Sequence, residues 1–384
     1  MKIYQIDKPK DTKATLKLLG SDKGGVFIMS KKMDTHLFVI KDISAGAANI
    51  LKQDCLSIGA ELAVPTGVVT CSKSYYDTIL IGTKRQLESL VRKEKSQPFG
   101  LKELAKKLDS FLKEPKFKTK IMGIVNANDD SFYPNSRYLE RKAVEAIERM
   151  IEDGADIIDI GAVSSRPRSE PVTPDEELRR LKPIIDTIRQ EKLTCKAKFS
   201  IDSYTPEAVA YALKSGFSIV NDITGMQEAK LGELAKSYGV TYIIMHMQGT
   251  PKDMQENPNY DNVILDIDTF FKERIERALE IGFNVEDLVL DVGIGFGKTL
   301  EHNLMLLKNL NHFRHFGCEV LIGASRKSMI DKIIPAPVEE RLPGTIAIHL
   351  EAIRKGASIV RCHDVKEHKQ AIEVFEAIEE GSVL

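Results

Sequence analysis

Apolar positions along the chain change rhythm near residue 118. Before it, short apolar runs (GGVFIM at 24–29, HLFVIKDI at 36–43, AELAVP at 60–65, DTILIG at 77–82) read as strands. They are interleaved with AANILKQDCLSIGA, KRQLESLVRKEK and GLKELAKKLDSFLKE, whose apolar residues repeat at helical spacing. The expectation is a small α/β domain over 1–117. The Lys-rich stretch 102–120, interrupted by Pro115, is its boundary, and its charges read as a solvated helix face and linker.

After Lys118 a strand–helix unit recurs. The strands are KIMGIVN (120–126), DIIDIG (156–161), KFSID (198–202), SIVNDI (218–223), TYIIMH (241–246), LVLDVG (288–293), EVLIGA (319–324) and SIVRCH (358–363). Each precedes an amphipathic helix, and Gly154, Gly216, Gly239, Gly282 and Gly356 follow helices where a left-handed C-cap is wanted. Nearly continuous apolar strands are expected of a parallel sheet covered on both faces. Eight such units over 118–384 predict a closed (β/α)8 TIM barrel, a fold that takes about 250 residues. No G-x-G-x-x-G turn follows the first strand, which disfavours an open dinucleotide-binding sheet.

Composition narrows the function. With 55 Lys plus Arg against 56 Asp plus Glu, the net charge is -1, not the excess of positive charge that nucleic-acid binding uses. The five Cys form no C-x-x-C pair, so neither a disulfide framework nor a zinc site is indicated. The opening MKIYQIDKPKDTK lacks a signal-like apolar run and no apolar stretch reaches membrane-spanning length, so a cytoplasmic protein without membrane association is expected.

Active sites of such barrels lie at the C-terminal ends of the strands. Those ends carry Asn126, Asp159, Asp202, Asn221 with Asp222, His246, Asp291, Lys327 just after the seventh strand, and Arg361 with His363. Any single one can be a helix cap or a loop partner, but eight converging on one mouth point to chemistry. Asp202, Asn221 and Asp291 can exchange paired hydrogen bonds with a flat nitrogen heterocycle. Arg166, Arg326, Lys327, Arg361 and His363 offer positive charge for phosphate. The site therefore reads as divided between a deep ring pocket and an anion-binding rim. His246 reads as a strand-end structural residue, Asp222 as a cap, Asp159 as an anchor for neighbouring loops, and His302 and His349 as structural.

The motifs IMGIVNANDDSF (121–132), GADIIDIGAVSSRP (154–167), FSIDSY (199–204), IVNDITG (219–225), MHMQGTP (245–251), DVGIGFGKTLEHN (291–303), GASRKSMI (323–330), LPGTIA (342–347) and IVRCHDV (359–365) follow one another along the barrel. In this order they resemble the dihydropteroate synthases of the pterin-binding family. The resemblance implies a transferase of folate biosynthesis and a sulfonamide target. Its substrates would be 6-hydroxymethyl-7,8-dihydropterin diphosphate and p-aminobenzoate. Asp202, Asn221, Asp291 and Lys327 would then hydrogen-bond the pterin, with Met245 and Ile223 on its faces. Ser165, Arg166, Arg361 and His363 would hold the diphosphate. Ser165, Pro167, Phe296, Lys327 and Ser328 would surround the aminobenzoate. Asp202, Lys327, Arg361 and His363 would carry catalysis, Mg2+ would be the cofactor with Asn126 its one protein ligand, and a homodimer is the common assembly. The loops 127–137 and 162–169 would be mobile covers.

Departures from the family pattern fall in loops. Ala127-Asn128-Asp129-Asp130 replaces the usual Val-Thr-Pro-Asp, Val163-Ser164-Ser165 replaces Glu-Ser-Thr, and Val292 replaces a proline. Two other readings share the pterin residues: a pterin-dependent methyltransferase, which needs no diphosphate site, and a non-catalytic pterin-binding protein. The joint presence of Arg166, SRKS and R-x-H-D-V favours the synthase. Residues 1–117 carry no motif that points to chemistry.

Overall fold

A computed structural model describes residues 3–4, 6–113, 115–127, 136–163 and 172–381. The chain divides into two compact units, residues 1–114 with 375–384, and residues 115–374.

In the first unit, strands β1 (Thr35–Ser44), β2 (Glu61–Ala63) and β3 (Tyr75–Thr83) form an antiparallel sheet of order β1-β3-β2. Alternation along β3 buries Tyr76, Thr78 and Leu80 while Tyr75 and Ile79 stay exposed. Helices Ala45–Ser57, Lys84–Glu94 and Leu101–Phe111 supply Leu51, Leu87, Leu90 and Leu108 to the same core. One expectation fails here: GGVFIM is not a strand but lies within the helix Lys23–Ser30. A short apolar run does not distinguish the two. Asp22 decides it by accepting a hydrogen bond from the Gly25 N–H at 2.8 Å as N-cap.

The second unit is the expected barrel. Strands β4 (Lys120–Asn126), β5 (Ile157–Gly161), β6 (Lys198–Asp202), β7 (Ile219–Asp222), β8 (Thr241–Met245), β9 (Leu288–Asp291), β10 (Glu319–Ile322) and β11 (Ile359–Cys362) pair in parallel and in sequence. The ring closes where β11 pairs with β4. Gly154, Gly216, Gly239, Gly282 and Gly356 all adopt positive φ, as helix C-caps require. Inside the barrel, Met122, Ile157, Ile219, Ile243, Val289, Leu321 and Ile359 form one cluster. Seven strands each donate one residue to this plug, and β6 places the buried Ser200 at the matching position. Because side chains alternate along a strand, the residue two positions on also faces inward, at the mouth. No helix among the described residues is long and apolar enough to cross a membrane.

Glu94 is an anomaly of the first unit. It is 1% exposed and neither carboxyl oxygen has a hydrogen-bond partner among the described residues. Burial, and next the Asp54 carboxyl, push its pKa up to about 7. A carboxyl whose folded pKa lies above its unfolded value loses stability as pH rises between the two. Glu94→Gln is therefore expected to raise the unfolding midpoint above pH 7 and to leave it unchanged below pH 4. Denaturant titrations at the two pH values check this, and an equal shift at both would contradict it.

Candidate active site

Two residues beyond the plug stand Asp159 on β5, Asp202 on β6, Asn221 on β7, Met245 on β8, Asp291 on β9 and Arg361 on β11. The centre of this ring is ionic. Arg361 Nε donates to Asp159 Oδ2 at 2.6 Å and its Nη2 donates to Asp202 Oδ2 at 2.7 Å. Asn221 Nδ2 donates to the same Asp159 oxygen at 3.0 Å. Asp159 is fully buried, so its role is to fix Arg361 and Asn221 rather than to meet a ligand. Burial pushes the Asp202 pKa up to about 7, with Arg361 opposing and the Asp159 carboxylate reinforcing the shift. Burial likewise raises Asp291, whose Oδ1 accepts the Gly293 N–H at 2.8 Å.

The loop after β9 closes against β8. A Cβ at Gly293 (φ 66°) would lie 2.0 Å from the His246 carbonyl oxygen, and one at Gly297 (φ 63°) would lie 2.4 Å from that of Gln248. Only glycine permits these approaches. Lys298, 2% exposed, ties the loop down: its Nζ donates to the carbonyls of Phe296 at 2.9 Å and His246 at 3.3 Å, and to His246 Nδ1 at 3.0 Å. Burial and that ammonium push the His246 pKa down to about 2, so His246 is a neutral structural residue, as expected. Asp222 is likewise a loop partner, accepting from the Thr224 and Met226 N–H groups and from the Tyr242 hydroxyl.

Lys327 reaches over this loop. Its Nζ donates to the Ile294 carbonyl and lies 4.2 Å from the centroid of the Phe296 ring. Burial pushes its pKa down to about 8. A small polar pocket adjoins it, lined by Gly295, Lys298, Asn303, Lys327, Ser328 and Lys332. Arg326, counted among the phosphate-facing cations, is instead engaged by Asp364, which accepts from its Nη2 at 2.6 Å and its Nε at 3.0 Å. That fork holds Arg326 at φ 56°, a left-handed conformation that turns the loop. His363 is anchored to Ser325, with Nδ1 and Oγ 2.9 Å apart. Asn126 ends β4, half-buried. Ile223 and Met245 are buried beside the ring. Ser165, Arg166, Pro167 and the first cover, 128–135, lie outside the described residues.

A family model described as pterin binding enzyme matches residues 122–363. The chain belongs to the pterin-binding enzyme family. A bifunctional dihydropteroate synthase/dihydropteroate reductase of Helicobacter pylori is 45% identical over 97% of this chain and 98% of its own length. A dihydropteroate synthase of Haemophilus influenzae is 41% identical over 67% of this chain and 93% of its own. Among solved structures, the Xanthomonas albilineans dihydropteroate synthase with 4-aminobenzoic acid superposes with a TM-score of 0.64 at 32% identity, covering 70% of this chain and all of that one.

Asp159, read from the sequence as an anchor for neighbouring loops, anchors Arg361 and Asn221. Two features of the site escaped the sequence reading. One is Lys298, visible in the sequence only as a polar residue in apolar surroundings. The other is a buried relay: the Ala324 N–H donates to His349 Nε2 at 3.1 Å, His349 Nδ1 meets His368 Nε2 at 2.9 Å, and His368 Nδ1 meets the Asp364 carbonyl at 2.6 Å. The backbone donor at one end and the carbonyl at the other fix both tautomers as neutral, with Nδ1 protonated. The relay ties the Ser325–Lys327 turn to Asp364. His349→Ala leaves a buried N–H and an imidazole unpaired and is expected to destabilise the barrel by about 1–3 kcal/mol. An unchanged urea midpoint would contradict it.

Proposed function

We infer that the barrel is a dihydropteroate synthase. It condenses 6-hydroxymethyl-7,8-dihydropterin diphosphate with p-aminobenzoate and releases diphosphate. The observation that carries this reading is the divided mouth: half-buried Asp202 on β6 and buried Asn221 and Asp291 on β7 and β9, beside the cationic Arg361 and Lys327. The relatives named dihydropteroate synthase match it over nearly their whole length.

In this reading the pterin lies against Asp202, Asn221, Asp291 and Lys327, between Ile223 and Met245. Arg361 commits Nε and Nη2 to carboxylates and still has donors for a diphosphate oxygen, beside His363, Ser165 and Arg166. The aminobenzoate ring packs on Phe296 and Pro167 near Ser165, and its carboxylate meets Lys327 and Ser328 at the lysine-lined pocket. Asn126 offers a hard amide oxygen, half-buried at a strand end, which fits Mg2+ held otherwise by diphosphate and water. The ion, when bound, neutralises charge on the leaving diphosphate.

The methylene C–O bond breaks and its electron pair leaves with diphosphate. The amine of p-aminobenzoate forms the new C–N bond and then loses a proton. Ionised Asp202 favours the positive charge that develops on the ring. Lys327 must stay protonated to bind anions. Asp202 loses its charge below about pH 7 and Lys327 loses its charge above about pH 8. Condensation is therefore expected to follow a narrow bell centred between those values, dependent on Mg2+ and competitively inhibited by a sulfonamide against p-aminobenzoate. A steady-state assay following dihydropteroate across pH 5–10 tests it, and absence of product at every pH would overturn the synthase reading. A cytoplasmic homodimer is the state in which we expect it to work.

One observation favours a second activity. The Helicobacter pylori relative matches this chain almost end to end, whereas the family model begins at residue 122. We therefore assign residues 1–117 to a reductive step that converts dihydropteroate to tetrahydropteroate. A reduced nicotinamide or flavin would deliver hydride to C6 of the ring while N5 takes a proton. Incubating the full chain with dihydropteroate and NADPH, alone and with FMN or FAD, should yield tetrahydropteroate. No reduction in any mixture would remove this second reading.

A further inference from the structure

The outer layer of the barrel carries a constellation that the condensation does not use. Asp268 lies in the helix Val263–Ile281, and His312 and His315 lie in a single 3-10 segment, Leu310–Phe316. Three residues per turn eclipse positions i and i+3, so both imidazoles leave the segment on one side. Both Nε2 atoms converge on one atom, Asp268 Oδ1, at 3.0 Å from His312 and 2.5 Å from His315. The two rings stand edge to face, 5.2 Å apart at 69°. The three side chains are 15–21% exposed, sheltered yet within reach of an ion from solvent.

Two imidazole nitrogens and a carboxylate oxygen, all within 4.8 Å of one another, make three corners of a tetrahedral coordination sphere. Zinc bonds to His nitrogen at about 2.0–2.1 Å and to carboxylate oxygen at about 2.0–2.2 Å, so ligand atoms stand roughly 3.4 Å apart. Reaching that separation lengthens the two contacts to Asp268 Oδ1 by less than about an ångström. Two imidazoles with one oxygen suit zinc-like ions and are poor ligands for Mg2+ or Ca2+, which take oxygen. That separates this cluster from the Asn126 position.

We propose that Asp268, His312 and His315 form a second, peripheral site for a divalent transition-metal ion of the zinc class, with its fourth position open to water. The ion would clamp the helix after β8 to the segment that leads into β10. It would therefore act on stability rather than on the condensation.

The test is calorimetric titration of the chelator-stripped full chain with Zn2+ in the presence of millimolar Mg2+, with Co2+ as spectroscopic probe. One equivalent of Zn2+ should bind per chain, Co2+ should give the intense visible bands of a tetrahedral site, and Zn2+ should raise the melting temperature. Asp268→Asn should weaken binding at least tenfold. His312→Gln/His315→Gln, which keeps hydrogen-bond donors beside Asp268 and so preserves the fold, should abolish the equivalent, the bands and the thermal shift while condensation proceeds at the wild-type rate. No zinc binding to the wild-type chain, or an equivalent that survives in the double glutamine variant, would overturn the proposal. Because the readout is metal binding, its failure is distinct from failure of the synthase reading.

Discussion

The half-buried guanidinium of Arg361 between the Asp159 and Asp202 carboxylates is the contact on which the rest of the mouth depends. A charge withdrawn from water is tolerated only when it is paired and hydrogen-bonded. Here one cation from the last strand meets two anions from the second and third barrel strands. That meeting is possible only because β11 pairs with β4, so ring closure and site assembly are one event. Asn221 is oriented by the same Asp159 oxygen, which extends the network to a fourth strand. Removing Arg361 would leave the buried Asp159 and half-buried Asp202 carboxylates without their shared cation, so its loss would disturb binding and folding together.

Much of this was legible because a strand has a period of two. Five of the seven plug residues are followed two positions later by a mouth residue: Ile157 by Asp159, Ile219 by Asn221, Ile243 by Met245, Val289 by Asp291 and Ile359 by Arg361. A polar side chain interrupting an apolar strand at that step reads directly as a site candidate. What the sequence conceals is pairing across the barrel. Asp159 reads as a loop anchor until closure brings Arg361 to it, and Arg326 reads as a phosphate ligand until Asp364 claims its fork. The His349–His368 relay joins positions on two different helices, and no local pattern announces it. GGVFIM was misread for a simpler reason: six apolar residues suit either geometry, and the decision rested on one capping aspartate.

The two units differ in how far residues lead to chemistry. In the barrel, chemically distinct side chains stand at fixed register positions and limit what can bind. In the first unit, the sheet and its helices explain their own packing, and Leu37, Val39 and Ile79 remain on an exposed sheet face. Its assignment to a reductive step therefore rests on a likeness spanning the whole chain, whereas the synthase assignment rests on residues as well.

The most direct test of the divided site is calorimetric binding of its two halves separately: 6-hydroxymethylpterin, and inorganic diphosphate with Mg2+, to the wild-type chain and to Asp202→Asn. A lost charged hydrogen bond contributes about 1.5–3 kcal/mol, so ring affinity should fall roughly 10- to 100-fold. Diphosphate affinity should hold or rise, because Arg361 is released from one carboxylate. Unchanged ring affinity, or loss of both ligands together, would contradict the division on which the account stands.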